Sequence, residues 1–392
     1  MKKLLSVLFA AAMLAVCALG FAGCGNANEI VIGLVGPYTG DTAQYGLAVQ
    51  YGARLYFDEV NAAGGINSKQ VKVIYYDSKG DPTEAVTAFT RLVDEKMTAF
   101  LGGVLTGETL AIVPEAFSIK MPTVTASATA DAVTVNTDTQ EVYTNVFRTC
   151  FIDPFQGTKI ADYASEILGA KTAAIIYNTD DDYSSGLKDA FVAECAIKGI
   201  TIVQTEGYGK GTKDFKAQLT NIQGKNPDVV FCPNYYEDDG MIVTQAREVG
   251  ITCKFLGGDG WGGVSKYASP ADLEGCIYAS GFDDSSDAVK EFKTKYFSKY
   301  GDDAAFNMFA ALAYDAAKVL VNAITVADNK IADADYSSAE FKAAVTDAIR
   351  NNSGNVSGLT TNGYSFDAKN NPVKAITVVE CINGVETSKG LY

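Results

Sequence analysis

Histidine occurs nowhere in the 392 residues. Its absence excludes Ser-His-Asp and Cys-His nucleophile systems, zinc sites of the His-Glu-x-x-His kind and histidine-ligated haem. No Cys-x-x-Cys pair is present either, so neither a metal cluster nor a redox motif is expected. Positive charge is scarce: 32 Lys and Arg face 47 Asp and Glu, for a net −15, and no basic run reverses this locally. Such a surface repels nucleic acid and anionic lipid. The expectation is no nucleic-acid partner, no metal, no cofactor and no catalysis, although carboxylate-only chemistry stays open in principle.

What is present is a folded composition, 47% apolar and 20% charged, in a chain long enough for two domains. Met1-Lys2-Lys3 followed by an apolar run over residues 4–19 has the charged and hydrophobic regions of an export signal and is short for a membrane span. Phe21-Ala22-Gly23-Cys24 resembles the lipobox of bacterial lipoproteins, with Phe21 where Leu is usual. Residues 1–23 are therefore read as a signal peptide and 24–28 as a linker behind a lipidated Cys24, which anchors the protein to the membrane outside the cytoplasm. Ordinary signal cleavage is the alternative. Cys150, Cys195, Cys232, Cys253, Cys276 and Cys381 then lie in an oxidising compartment. Most read as buried thiols, with Cys253 and Cys276 a candidate pair.

From Glu29 onward, short β-branched runs alternate with segments of helical periodicity, the pattern of parallel sheets wrapped by helices. Strands are expected at 30–35, 71–76, 99–103 and 122–125, with helices at 43–61, 82–96 and 108–119. A second series follows: helices at 153–168, 185–198, 215–222 and 239–249, and strands at 172–177, 201–204, 228–232, 254–257 and 276–279. Helices at 287–299, 304–326 and 338–350 come next without strands between them, then strands near 364–366 and 375–380. Helices alone cannot begin a third sheet, so they are expected to return to the first. This gives an α/β chain of two doubly wound Rossmann-like lobes, 29–147 plus 281–358 and 148–280 plus 359–392. A hinge of three crossings near 146–150, 278–281 and 359–363 joins them.

Ligands of open α/β sheets collect beyond the carboxyl ends of the strands. In the first lobe those positions hold Gly36-Pro37-Tyr38-Thr39-Gly40, Leu105-Thr106-Gly107-Glu108 and Thr125-Ala126-Ser127-Ala128-Thr129, small and hydroxyl-bearing residues able to donate to a carboxylate. Helix capping is the plainer role for the same residues. In the second lobe they hold Asp180-Asp181-Asp182-Tyr183, Asn234-Tyr235-Tyr236 and Gly257-Gly258-Asp259-Gly260-Trp261, carboxylates and rings. Hydroxyls facing an acid suit a zwitterionic amino acid, with its carboxylate against Thr106, Ser127 and Thr129 and its ammonium against Asp259. Turn stabilisation by Asp259 and packing by the tyrosines are the alternatives, and the acidic run 180–182 reads as a solvated loop.

Taken together, several segments resemble the branched-chain amino acid binding proteins of ABC importers, which have the periplasmic binding protein type I (Venus-flytrap) fold. They are Ile32-Gly33-Leu34-Val35-Gly36-Pro37, Gly52-Ala53-Arg54, Asn61-Ala62-Ala63-Gly64-Gly65-Ile66, Ser127-Ala128-Thr129, Phe147-Arg148-Thr149 and Gln245-Ala246-Arg247-Glu248-Val249-Gly250. The resemblance runs from about Glu29 to about Val379. It implies a monomeric solute-binding protein that closes on a free amino acid and delivers it to ABC transporter permease subunits. Its carboxylate ligands would be Thr106, Ser127 and Thr129. Its ammonium partners would be Tyr235 and Asp259, where family members have Glu. Tyr45, Tyr183 and Phe306 would surround the side chain, with Phe309 an alternative to Phe306 and Trp261 a further lining residue. Other ligands on the same frame, an aromatic acid, an amide or urea, and a ligand-sensing receptor ectodomain are the competing readings.

Overall fold

The computed structural model describes residues 29–283 and 285–392, so the expected signal peptide, linker and lipidated Cys24 lie outside the described residues. The first sheet is all parallel, in the order β2-β1-β3-β4-β5. Its strands are β1 (Ile30–Gly36), β2 (Val71–Asp77), β3 (Ala99–Gly102), β4 (Thr123–Thr125) and β5 (Val146–Arg148). Helices α1 (Ala43–Ala62), α2 (Pro82–Asp94) and α3 (Thr106–Ser118) connect them. Every residue of β1 is buried, as a parallel strand covered on both faces must be. Asp81 starts α2 by accepting from the Thr83 and Glu84 amides at 2.8 and 2.9 Å, with Pro82 in the first turn.

After β5 the chain passes to α4 (Asp153–Glu166) and the second sheet, ordered β12-β11-β10-β9-β8-β6-β7. Strands β6 (Thr172–Asn178), β7 (Thr201–Tyr208), β8 (Val229–Phe231), β9 (Lys254–Gly257) and β10 (Ile277–Ser280) are parallel. Between them lie α5 (Asp182–Lys198), α6 (Lys216–Gln223), α7 (Tyr236–Glu248) and the short α8 (Pro270–Leu273). Helices α9 (Asp287–Tyr300), α10 (Met308–Lys330) and α11 (Ala339–Asn352) then follow without a strand. Helix α10 lies along α1 of the first lobe. The approach is closest at Gly52, where a Cβ would stand 2.0 Å from the Ala310 carbonyl oxygen. The chain returns to the second sheet as β11 (Thr377–Ile382) and β12 (Val385–Leu391), an antiparallel hairpin on β10.

Polar contacts tie the crossings together. Asp315 of α10 accepts from the Leu359 and Thr360 amides, the Thr360 hydroxyl and the Tyr364 phenol, all within 2.9 Å. Lys374 Nζ reaches the Thr149 carbonyl on the first crossing at 3.3 Å and the Thr360 hydroxyl on the third at 3.0 Å.

Three expectations are corrected. Residues 364–366 do not form a strand: Tyr364 is buried with its phenol on Asp315, and Phe366 makes only an isolated bridge to Pro372. The last strand has an unforeseen partner, β12. Cys253 and Cys276 are not bonded, and all six described cysteines are free. The register sets Ile277 beside Leu256, so Cys276 and Cys253 are two positions out of step, about 7 Å along the strand.

Candidate functional site

In each sheet the strand order reverses beside the second strand from one edge, β1 in the first and β6 in the second, and the carboxyl ends of both sheets face one cleft. At its base lies a narrow cavity of about 10 Å³. The first lobe lines it with Tyr45 of α1, Val104, Leu105 and Thr106 after β3, and Ser127 after β4; the second contributes Tyr183, Tyr235, Asp259 and Gly260. Phe309, from the first turn of α10, completes the wall.

Thr106 opens α3, whose N-cap residue Leu105 has no side-chain oxygen to offer the first turn. The start of α3 therefore turns a hydroxyl and the positive end of a helix dipole toward the cavity. The Ser127 hydroxyl donates to the Val104 carbonyl at 2.7 Å, which ties the two loops together and leaves its oxygen to accept. Thr129 does not line the cavity: it is buried behind it, beside the Asp153 carboxyl. Arg148 supports this loop by donating to the Ala128 and Ala130 carbonyls, both at 2.9 Å.

On the opposite wall the Tyr183 and Tyr235 rings stack at 5.1 Å, and the Tyr183 phenol accepts from the Gly260 amide at 2.9 Å. Tyr45 crosses from the first lobe to donate to the Gly260 carbonyl. Asp259 is 2% exposed. One of its carboxylate oxygens accepts from Gln156 at 3.2 Å, while the other is buried with no hydrogen-bond partner, the Tyr183 phenol lying alongside. Gln156 also donates to Asp153 at 2.9 Å, and Asp153 likewise keeps one oxygen buried and unpartnered. Burial pushes the Asp259 carboxyl up to about 6. Burial, with the Asp259 charge adding to it, pushes Asp153 up to about 8. The free oxygen of Asp259, with Asp153 buried behind it, gives this wall an acceptor for a cation with hydrogens to donate.

Two expected lining residues lie elsewhere. Trp261 is fully buried, with its indole nitrogen donating to the Cys232 carbonyl at 2.8 Å. The indole lies flat on β9 because residue 257 is glycine; a Cβ there would fall 2.0 Å from the indole nitrogen. Phe306 precedes α10 and packs among Phe292, Tyr296 and Phe297, lining a separate cavity of about 220 Å³ with Tyr278 and Met308. Phe309 takes the place by the ligand cavity, its ring 5.4 Å from that of Tyr45. Gln156 and Asp153 were missed. Asp153-Pro154 marks a helix start in the sequence, and the spacing of three puts Asp153 and Gln156 on one helical face. Among the described residues no group of His, Cys, Asp and Glu is arranged to hold a metal ion.

The acidic run at the mouth of the cleft has local work: Asp181 caps α5 through the Ser184 amide at 2.8 Å, and Asp180 accepts from the Lys210 amide at 2.9 Å.

Comparison with known proteins gives a consistent result. The family model described as periplasmic binding protein matches residues 29–386. The Leu/Ile/Val-binding protein BraC3 of Rhizobium johnstonii is 32% identical over 280 residues, 71% of this chain and 74% of that protein. An amino acid binding protein of Pseudomonas aeruginosa is 34% identical over 59% of this chain, and the match spans 61% of its length. Among solved structures, the branched-chain amino acid transporter substrate-binding protein LivJ of Streptococcus pneumoniae, in complex with isoleucine, superposes with a TM-score of 0.81 at 34% identity. That superposition covers 93% of this chain and 99% of LivJ.

Proposed function

We propose, from the premise that this chain belongs to the periplasmic binding protein family, that it is a solute-binding protein which captures a free amino acid, of the branched-chain class, for an ABC importer. The observation that carries this reading is one cavity walled on one side by Thr106 and Ser127 and on the other by Asp259, whose free oxygen is buried. A zwitterion satisfies both walls at once, because its ammonium donates to Asp259 with the Tyr235 phenol nearby while its carboxylate meets the Thr106 hydroxyl and the start of α3. An anion without an ammonium, such as an aromatic acid, would face the buried Asp259 carboxylate with nothing to offset it. Tyr45, Tyr183, Leu105 and Phe309 surround the remaining space with apolar surface, which suits an aliphatic side chain. The isoleucine complex of LivJ supports the same ligand class.

The lobes close over the ligand about the three crossings, expelling water and strengthening the ammonium–Asp259 pair. The division into 29–147 plus 281–358 and 148–280 plus 359–392 belongs to this proposal, as do a monomeric state, a lipid anchor at Cys24 and delivery to permease subunits. Mass spectrometry of small molecules released from the purified, denatured protein tests the reading, with calorimetry on leucine, isoleucine and valine. Release of a non-amino-acid ligand, or no heat with any amino acid, overturns it.

A further inference from the structure

We propose that Tyr45 and Tyr236 cap each other's helices across the cleft, and that Tyr236, which does not line the ligand cavity, is a positioning residue that sets how slowly the closed protein releases its ligand. Neither helix has a side-chain cap from its own N-cap residue. Helix α1 begins after Thr42, whose side chain makes no capping hydrogen bond. The Ala43 and Tyr45 amides find carbonyls in their own loop, Gly40 and Thr42, both at 3.1 Å. The amide between them, Gln44, donates instead to the Tyr236 phenol oxygen of the other lobe at 3.2 Å.

Helix α7 shows the mirror arrangement. Its N-cap residue Tyr235 makes no side-chain cap, and the amide of its first residue, Tyr236, donates to the Tyr45 phenol oxygen at 3.1 Å. Each helix therefore receives its cap from a tyrosine in the first turn of the other. First-turn amides have no partner within their own helix, and an oxygen placed there stabilises the helix end.

Both phenols also donate. Tyr236 gives its hydrogen to the Asp41 carbonyl at 2.7 Å, and Tyr45 gives its own to the Gly260 carbonyl. The two rings touch edge to face with centroids 4.6 Å apart. Lys266 and Asn307 add hydrogen bonds to Gln44 at 3.2 and 3.3 Å. Separating the lobes breaks the tyrosine and Lys266 bonds together, while the Asn307 bond lies within the first lobe and stays. The cross-lobe bonds exist only in the closed arrangement, so they slow opening and leave the encounter with ligand unaffected.

The consequence for release rests on the amino-acid reading, whereas the reciprocal cap does not. The test uses the full chain with Tyr236→Phe, which keeps the ring and removes the oxygen. With L-leucine as probe, stopped-flow fluorescence is expected to show about a tenfold faster off-rate, equivalent to about 1.4 kcal/mol, with the on-rate within about twofold. Hydrogen exchange of the ligand-saturated, closed protein is expected to show the Gln44 amide protected in the wild type and about fivefold less protected in the variant. An unchanged off-rate, or a slower on-rate in its place, overturns the role in release. Equal protection of Gln44 in the two proteins overturns the cap. Failure of the wild type to bind leucine counts against the functional reading alone, because the exchange measurement is then made on the closed protein with whichever small molecule co-purifies with it.

Discussion

Gln156 and Asp259 hold each other twice: the Gln156 amide nitrogen donates to the Asp259 carboxylate at 3.2 Å, and the Asp259 backbone amide donates to the Gln156 oxygen at 3.0 Å. The glutamine fixes both the loop that carries the acid and one of its oxygens, leaving the other for a ligand. Asp259→Ala is expected to weaken amino-acid binding by about 2–5 kcal/mol, because a buried ammonium loses its counter-charge. Gln156→Ala, which frees the loop and keeps the charge, should cost less, about 1–2 kcal/mol. Calorimetry on both variants checks the order; equal losses would mean that Gln156 touches the ligand itself.

Acidity follows from the same wall. Asp259 and Asp153, with carboxyls raised to about 6 and 8, bind protons more tightly folded than unfolded. Glu108, raised by burial to about 7, behaves alike. Between the unfolded carboxylate range near pH 4 and about pH 8 the native state therefore holds more protons, and stability falls as pH rises. The melting temperature of the unliganded protein should drop progressively across that window, and Asp153→Asn should flatten the fall. Ligand affinity should move oppositely between pH 5 and 7, since Asp259 must lose its proton to pair with an ammonium. Differential scanning fluorimetry and calorimetry over pH 5–8.5 read the two trends, and a melting temperature that rises with pH contradicts the assignment.

Phe309 lines the ligand cavity and Phe306 its neighbour. Phe309→Ala is expected to reduce affinity for a branched-chain amino acid by about 1–3 kcal/mol through lost apolar contact. Phe306→Ala should leave affinity within about twofold while lowering stability by about 2–4 kcal/mol, because it empties the cluster of Phe292, Tyr296 and Phe297. Paired calorimetry and urea denaturation distinguish them.

Gly52 tests the seam between α1 and α10. A methyl group there meets the Ala310 carbonyl oxygen at 2.0 Å, so Gly52→Ala must push the helices apart. A loss of about 1–3 kcal/mol in urea denaturation is expected, with a stabilised variant the contrary result.

Much of this architecture was legible in residue pattern, and the failures have physical reasons. Parallel strands buried on both faces read as short β-branched runs, and Asp81-Pro82 marks a helix start by chemistry confined to four residues. Strand β7 extends to Tyr208 where the pattern suggested an end at 204, because an edge strand with exposed positions lacks a continuous apolar signal. Strand β12 was missed for the same reason, although Asn383-Gly384, both with positive φ, is a hairpin turn visible in sequence. Strand ends located Thr106, Ser127, Tyr235 and Asp259 at one cleft, since a doubly wound sheet dictates where loops converge. Trp261 and Phe306 failed because membership of a loop does not decide which way a side chain turns. That depends on Gly257 beneath the indole and on the position of α10's first turn, both tertiary facts.

Helix α10 is part of the covering of the first sheet, yet some 160 residues of chain, most of them second-lobe, separate it from β5. A polypeptide emerging from its amino end thus presents β1 to β5 with the α1 flank still bare until Lys330 is out. The second lobe in turn awaits its closing hairpin to the last residues. Neither half is a contiguous fragment that could be made alone, and a chain halted midway through export exposes apolar surface on both, a natural substrate for a holding chaperone.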